Sequence, residues 1–467
     1  MNVLMIVYDN NTATSFFPLG LAYLASSIRH SFYEVKIEVW QQDIYHYADY
    51  MLTEKLNSSQ YDYVLVSMIG GAYQYKKIRS LSDAINCSTR RHSFKYMIGG
   101  HGPAGAPEFF LRKTGADVCC VGEGESTIVE LLNYYSGKGC VEDIEKIKGI
   151  AYLSNGKFIQ NQKQDTIKNI DDIPWPAWDL FDINYYASYR FPCMKPHDRA
   201  MLMLSGRGCP FKCNFCFRMD KGFRPRSAKS ILSEINYLIN KYHITYIYFA
   251  DELLMSSEHR IIDFCNALLE ENISIKWWCN GRLNFARLEV LGLMKQSGCV
   301  CINYGIESLD DDTREKMGKM LSRKMIIEGV ENTIKTGITP GLNFIYGNID
   351  EPLSAIEDAC CFLLKYGSLD DFHTIHLVTP FPGSELFEIA LERGYIEDEE
   401  DFYENKHISY DLLTCNFTDH YDKEIYTAIY NANKRLVEDR YKRAKDAHMK
   451  NRYKLLRQRL FEDNIDE

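Results

Sequence analysis

Residues 200–216 read AMLMLSGRGCPFKCNFC, a short apolar run followed at once by a glycine-flanked loop that carries three cysteines. Five consecutive apolar residues are typical of a buried strand, and the glycines at positions 206 and 208 permit a tight turn after it. Cys209, Cys213 and Cys216 follow in a C-x3-C-x2-C spacing. Three thiols on one loop can converge on one side of a bound metal group.

The spacing favours an iron–sulfur cluster over zinc. Cysteine thiolates are the usual ligands of a four-iron cluster, and three of them leave one iron open for a substrate or a cofactor. A structural zinc site needs four ligands, and the sequence has no partner CxxC pair elsewhere. A loop whose three cysteines have no metal role is the remaining alternative.

The chain around and after this loop alternates strand and helix patterns. Six units at regular spacing predict a partial (β/α)6 TIM-type barrel, since eight units would close a full barrel. The loops that follow the strands are then expected to hold the active site. The predicted strands are 200–204, 246–249, 275–279, 300–305, 341–346 and 374–378, and the predicted helices are 228–242, 258–270, 285–296, 324–336 and 352–366.

Residues 1–148 show the same alternation with shorter units. Strands alternating with helices imply right-handed crossovers and a parallel sheet covered on both faces. We therefore predict an N-terminal doubly wound α/β domain, Rossmann-like or flavodoxin-like, with its ligand beyond the carboxyl ends of the strands. The predicted strands are 3–8, 36–40, 63–69, 95–98 and 118–121.

Three of these five strand ends are rich in glycine, which allows a backbone to approach a bulky ligand closely. The alternative is that the glycines only form tight turns, because no GxGxxG fingerprint is present. The residues concerned are Gly70 and Gly71, Gly99 and Gly100 with His101, and Gly122 and Gly124.

The remaining segments are a linker and a tail. Residues 149–198 are predicted to form a hairpin, around Ser154-Asn155-Gly156, and a Trp/Pro linker packed on the surface. The barrel core then spans 199–395, and 396–467 form a helical C-terminal region. Residues 397–401 are an acidic run that suggests a solvated turn. Residues 434–460 contain eleven basic and three acidic residues, which fits either a helix packed on an acidic body or contact with nucleic acid or an acidic partner.

Composition and net charge indicate which class of protein this is. With 46% hydrophobic and 25% charged residues, the 467-residue chain is that of a folded globular protein. It shows no secretory signal and no apolar run of the ~18–20 residues that a membrane span needs, so we expect a cytoplasmic protein with reduced thiols. The net charge of -10 argues against a generally basic, nucleic-acid-binding surface.

The cysteine loop resembles the signature of the radical S-adenosylmethionine enzymes, which Cys209, Cys213 and Cys216 match in full. The resemblance implies a 4Fe–4S cluster whose open iron binds S-adenosylmethionine. It also implies reductive cleavage of that cofactor to a 5′-deoxyadenosyl radical, which abstracts a hydrogen atom from the substrate.

Four further segments resemble motifs of the same superfamily, in the same order. They are FADE at 249–252, CNGRL at 279–283, YGIES at 304–308 and TPFPGS at 379–384, the last with Ser where the family pattern has Thr. The resemblance implies these contacts to S-adenosylmethionine: Asp251 or Glu252 to its ammonium, Arg282 to its carboxylate, Glu307 to its ribose and Phe215 beside its adenine.

The front domain resembles that of the cobalamin-binding subgroup, on PLGLAYLA at 18–25, IGGHGP at 98–103 and VGEGE at 121–125. This implies cobalamin between the sheet and the barrel mouth, held through the glycine loops, with methyl transfer to an unactivated carbon or phosphorus as the commonest outcome. No Asp-x-His-x-x-Gly motif occurs, so we expect the cobalt to lack that histidine ligand. His101 either approaches the corrin or orients its loop. A front domain that has lost cobalamin is the alternative.

Three other functions stay open. One is a radical cyclase or rearrangement enzyme of the same class. Another is a tRNA methylthiotransferase, which would need extra cluster cysteines that Cys87, Cys119, Cys120 and Cys140 do not supply as a matching set. The third is a non-catalytic cobalamin sensor, against which the intact cysteine loop argues. Expected partners are a small-molecule or peptide substrate and an electron donor such as flavodoxin or ferredoxin, with no membrane and no nucleic acid.

Overall fold

The computed structural model describes residues 1–12, 14–137, 143–444, 450 and 453–456. Two sheets and one small hairpin contain its fifteen strands. These are β1 Asn2–Val7, β2 Lys36–Gln41, β3 Tyr63–Ser67, β4 Lys95–Gly99, β5 Val118–Cys120, β6 Ile150–Ser154, β7 Lys157–Gln160, β8 Ala200–Met203, β9 Gly206–Cys209, β10 Gly222–Pro225, β11 Tyr246–Phe249, β12 Lys276–Gly281, β13 Cys299–Glu307, β14 Thr339–Tyr346 and β15 Ile375–Leu377.

The front sheet has the order β2-β1-β3-β4-β5-β6-β7, with parallel pairing from β2 through β5. The order 2-1-3-4-5 is that of flavodoxin-like folds, whose ligands bind where the direction of winding changes. The predicted doubly wound architecture is therefore confirmed.

The front sheet is larger than predicted, because the hairpin β6–β7 adds to it. β6 pairs antiparallel with β5, so the sheet has seven strands and extends past the predicted boundary at residue 148. β5 is only three residues long. The hairpin covers the edge that β5 would otherwise leave unpaired.

Helices lie on both faces of the front sheet and bury apolar stripes against it. The described helices are Leu19–Ser31, Gln42–Tyr45, Asp49–Ser58, Ala72–Asn86, His101–Gly105, Pro107–Thr114 and Gly124–Tyr135.

The second sheet is the predicted open barrel. Its six strands are all parallel and have the order β8-β11-β12-β13-β14-β15. The helices on its outer side are Ala228–Tyr242, Glu258–Glu270, Leu288–Gln296, Arg323–Lys335 and Ser354–Tyr366. The helix Asp311–Lys316 leads into the loop beside the cysteine segment, and Glu385–Glu392 packs into an apolar cluster of the front sheet. One continuous buried cluster includes side chains from both sheets, so the two domains share a core.

The linker does more than cover the surface. Phe191, which follows the short helix Ile183–Tyr186, lies inside the barrel wall. Its ring centroid is 5.1 Å from that of Tyr248 and 5.5 Å from that of Trp278. This aromatic side chain therefore fills part of the barrel interior against β8, β11 and β12.

The C-terminal helix Asp422–Arg443 begins before the predicted residue 434 and packs along Ser354–Tyr366. Arg440 is buried and donates to the Leu363 carbonyl over 2.8 Å. The first part of the predicted basic helix therefore packs on the barrel, and most of the rest lies outside the described residues. In the acidic run, Asp398 caps the short helix Glu399–Asp401.

None of the helices among the described residues is both long enough and apolar enough to cross a membrane.

Candidate cofactor site

The cysteine loop is held by a short antiparallel hairpin that the sequence analysis did not predict. β9 pairs with β10, and Cys209 is opposite Gly222. Gly208 has a φ of +83°, and a side chain there would place its Cβ 2.4 Å from the Gly222 carbonyl oxygen. Only glycine fits at position 208. Gly208, which precedes Cys209, and Gly222, which lies opposite Cys209, therefore set the path of the loop.

The three cysteines are reduced and at least partly accessible. A hydrogen bond from Cys216 lowers the pKa of the Cys213 thiol to about 6, with help from the positive charge of Lys319. Burial raises the pKa of Cys209. At Cys213, the positive charges of Lys319 and Arg282 act in the same direction as that hydrogen bond and favour the thiolate form that a metal ligand takes.

The thiols fit a multi-iron cluster better than a single zinc ion. In the described part of the chain, no three His, Cys, Asp or Glu side chains are gathered closely enough to hold one metal ion. In a four-iron cluster each thiolate binds a different iron, so its ligands stand further apart than those of one ion. Three thiols on one loop, none in a disulfide, supply the donor set that such a cluster takes.

Opposite charges lie directly beside this loop. The Arg282 guanidinium sits over the Phe211 ring, 3.6 Å from its centroid, and donates to the Lys319 carbonyl. Lys319 donates to Glu307 over 2.7 Å, and both side chains are only 10% exposed. Burial lowers the pKa of Arg282. The predicted cofactor contacts Arg282 and Glu307 therefore converge on the cysteines, joined by Lys319, which the sequence analysis missed.

Asp251 and Glu252 separate into two environments. Asp251 is buried and accepts hydrogen bonds from both the backbone N–H, over 2.7 Å, and the hydroxyl of Ser205. Burial raises its pKa. Glu252 accepts from the Gly208 N–H over 2.7 Å and borders the cavity described below. Of the two carboxylates proposed for the ammonium, Glu252 is the one that reaches open space.

Phe215 and its neighbour Asn214 anchor the loop on the protein. Phe215 is half-buried against the apolar core formed by the other face of the front sheet. Asn214 and Asn348 exchange two amide hydrogen bonds of 3.1 and 3.0 Å, and both are buried. Sequence reasoning missed this pair, because an asparagine between two loop residues gives no pattern that marks it as buried.

A cavity of about 480 Å³ lies between the front sheet and the barrel mouth. The front domain contributes strand ends, and the barrel contributes β8 and the cysteine hairpin. Gly99, Gly100, His101, Gly122 and Gly124 line it on the front side, and Leu202, Leu204, Gly206, Arg207, Gly208, Ala250 and Glu252 line it on the barrel side.

The glycine loops on the front wall require glycine. Gly100 has a φ of +99°, and an added Cβ would lie 2.3 Å from the Met68 carbonyl oxygen. His101 begins the helix His101–Gly105 and is exposed, with its ring 6.1 Å from that of Phe217. A wide wall of backbone and apolar side chains fits the broad face of a corrin. These observations fit cobalamin in this cavity and leave the role of His101 a prediction.

Gly70 and Gly71 are not among the residues that line this cavity, and their contact with cobalamin stays a prediction. An added Cβ on Gly70 would lie 3.4 Å from the Phe381 ring, and one on Gly71 would lie 2.3 Å from the Tyr410 hydroxyl. Tyr410 also donates to the Gly70 carbonyl over 3.2 Å. These two glycines make room for aromatic side chains of the segment after β15. Their neighbour Ile69 reaches the cavity instead.

Ion pairs fasten the two walls together. Glu123, at the end of β5, pairs with Arg207 over 3.0 Å and with Arg224 over 2.7 Å. Glu125 also pairs with Arg207. All four side chains are less than 20% exposed. The glycine loop of the front domain is thus tied to both strands of the cysteine hairpin, and the sequence analysis did not foresee this network.

Comparison with known proteins also divides the chain into a front domain and a barrel domain. A model of the B12 binding domain matches residues 6–132, and a model of the Radical SAM superfamily matches residues 203–363. They confirm the predicted cofactor set: a 4Fe–4S cluster with S-adenosylmethionine in one domain, and cobalamin in the other.

Relatives cover most of the chain. An uncharacterized methyltransferase, PH0819, of Pyrococcus horikoshii is 29% identical over 385 residues, 81% of this chain and 79% of that protein. The anaerobic magnesium-protoporphyrin IX monomethyl ester cyclase of Cereibacter sphaeroides is 24% identical over 400 residues, 83% of this chain and 62% of the cyclase.

A solved structure confirms the fold. The cobalamin-dependent S-adenosylmethionine radical enzyme OxsB, with aqua-cobalamin bound, aligns with a TM-score of 0.74 at 18% identity, covering 98% of this chain and 71% of OxsB. By its two family matches, the chain joins a B12 binding domain to a domain of the Radical SAM superfamily.

Proposed function

We propose that this protein is a cobalamin-dependent radical S-adenosylmethionine methyltransferase that methylates an unactivated carbon or phosphorus centre of a small-molecule or peptide substrate. One observation carries the proposal. A single cavity is bordered by the front glycine loops on one side and by Gly206, Gly208 and Glu252 of the barrel on the other. Groups bound to the two domains would share this space.

The chain's own residues prepare that space. Arg282 and Lys319 place positive charge beside the cysteine loop, which favours thiolates and an anionic carboxylate close to them. Glu252 is held toward the cavity by the Gly208 N–H. Apolar side chains such as Leu202 and Met97 line much of the wall and limit water. When bound, the cluster supplies one electron to S-adenosylmethionine, and cobalamin supplies a transferable methyl group.

The test uses protein reconstituted anaerobically with iron, sulfide and hydroxocobalamin and supplied with S-adenosylmethionine and a strong reductant. Loss of the methyl group leaves S-adenosylhomocysteine, and reductive cleavage leaves 5′-deoxyadenosine. We expect both products from the wild-type protein. The matched control, Cys209→Ala/Cys213→Ala/Cys216→Ala, should form no 5′-deoxyadenosine and keep its fold. A triple variant that still forms 5′-deoxyadenosine would overturn the cluster assignment.

A radical cyclase is the second candidate, favoured by the 24% identity to the magnesium-protoporphyrin ester cyclase. In the same assay it would form 5′-deoxyadenosine without S-adenosylhomocysteine. That pattern would replace methyl transfer by hydrogen abstraction and ring closure as the proposed reaction.

A further inference from the structure

The cysteine segment carries three cations that stand apart from the charge network described above. Lys212 and Lys221 are exposed, and Arg218 is half-buried, with one guanidinium nitrogen donating to the Phe211 carbonyl over 3.0 Å. Within the described ranges, none of the three forms an ion pair with a carboxylate. Their charge is therefore free to act on a partner.

These cations border the thiols directly. Lys212 precedes Cys213 in the chain, and Lys221 forms a β-bridge with Cys209. A second loop lies against the same segment, because an added Cβ on Gly318 would be 2.8 Å from the Lys212 carbonyl oxygen. Two residues further along this loop, Met320 is 82% exposed. We call Lys212, Arg218, Lys221 and Met320 the cationic rim.

Two carboxylates on or beside the cysteine segment already have partners. Asp220 pairs with Lys163 over 2.7 Å, and Glu252 accepts from the Gly208 N–H. The rim is therefore locally positive, although the whole chain carries a net charge of -10. A positive patch on an acidic protein steers negatively charged partners to one place.

We propose that the cationic rim is the docking surface for a small acidic electron-transfer protein of the flavodoxin or ferredoxin class. The proposal rests on the proposed function, in which the cluster must receive an electron. The step moves one electron: the donor's redox group is oxidised by one electron, the cluster is reduced by one, and no bond forms or breaks. An exposed methionine among cations suits a small, transient contact, which electron-transfer partners typically make.

The same cations suit a nucleic acid less well. Binding to nucleic acid gains most of its affinity from many phosphate contacts, roughly 6–10 in a strongly salt-dependent complex, whereas the rim offers three cations on one segment. The other basic residues of this segment, Arg207, Arg224 and Arg226, already pair with carboxylates. We therefore argue for the acidic protein and treat RNA as an outcome of the test.

The experiment follows cluster reduction by stopped-flow absorbance in reconstituted protein mixed with a reduced, acidic flavodoxin. Lys212→Glu/Lys221→Glu is compared with Lys36→Glu/Lys157→Glu, which reverses two exposed lysines on the front sheet. We expect the rim variant to lose about tenfold or more in the second-order rate constant at low ionic strength, together with its salt dependence. The control should match the wild type. Binding of oxidised flavodoxin, measured by fluorescence titration, should weaken in parallel.

Photoreduced 5-deazariboflavin, a neutral donor, separates docking from changes at the cluster. The rim variant should lose much less of its rate with this donor than with flavodoxin. An equal slowing with both donors, an unchanged rate with flavodoxin, or an equally slow control would each overturn the proposal. So would an RNA oligonucleotide that binds through the same lysines more tightly than flavodoxin. A protein that assembles no cluster would instead refute the proposed function, and its absorbance spectrum shows that before any donor is added.

Discussion

Gly20 offers a steric test of the interdomain cavity. It lies in the first turn of the helix Leu19–Ser31 and borders the cavity. The only atom near an added Cβ is the Ser67 hydroxyl oxygen, at 4.0 Å. A side chain at position 20 therefore enters open space without a backbone clash. We expect Gly20→Phe to fold normally and to block the cavity.

The size of the effect follows from area. A buried phenylalanine side chain covers roughly 150 Å², and apolar contact contributes about 25 cal/mol per Å². A ring that takes this contact away from cobalamin should cost about 4 kcal/mol of binding free energy, or several hundredfold in affinity. Gly20→Ala should instead raise the free energy of unfolding by up to about 1 kcal/mol, because glycine disfavours helix, and leave cobalamin affinity nearly unchanged.

The assay is a titration of the purified protein with hydroxocobalamin, followed by absorbance, with unfolding in urea as the check on folding. Gly292→Phe is the matched control, because Gly292 also lies in a helix, Leu288–Gln296, with nothing within 4 Å of an added Cβ, but outside the cavity lining. A folded Gly20→Phe protein that binds cobalamin as tightly as the wild type would refute the placement of the cofactor.

Three further predictions concern the supports of the site. Glu123→Gln should lower the free energy of unfolding, measured in urea, by about 3 kcal/mol, because Arg207 and Arg224 lose a buried carboxylate partner. A loss under 1 kcal/mol would contradict this. Asn214→Leu leaves the Asn348 amide buried without its partner. The reconstituted protein should then retain less iron after desalting, because the cysteine loop is held less firmly. An unchanged iron content would argue against the anchoring role of Asn214. Burial raises the pKa of Glu351 from 4.5 to about 7, so the folded state holds a proton that the unfolded state releases. Stability should therefore fall as pH rises from about 5 to 7 and fall less in Glu351→Gln; parallel curves for the two proteins would rule this out.

Local patterns in the sequence were enough to place most of the barrel. The strand Tyr246–Phe249 and the helices Ala228–Tyr242 and Glu258–Glu270 have the predicted bounds. In each, the apolar period lies within a few consecutive residues and is bounded by polar or turn residues. The cysteine loop was predictable for the same reason, since its ligands lie within eight residues of one another.

Contacts between distant segments could not be predicted in this way. The pair Glu123–Arg207 joins residues 84 positions apart, and neither residue carries a local signal of its partner. The insertion of Phe191 into the barrel interior likewise depends on residues of three later strands, which its local sequence does not reveal. Gly70 and Gly71 match a ligand-binding loop in composition, yet they accommodate aromatic side chains from a segment more than 300 residues away.

The most direct test of the central claim is a crystal structure of the reconstituted protein with anomalous difference maps at the cobalt and iron edges. We predict one cobalt peak in the cavity between Gly99–His101 and the barrel mouth, and one iron peak beside Cys209, Cys213 and Cys216. The two peaks should border the same open space. A cobalt peak elsewhere, or iron bound away from the three cysteines, would contradict the shared site on which the proposed function depends.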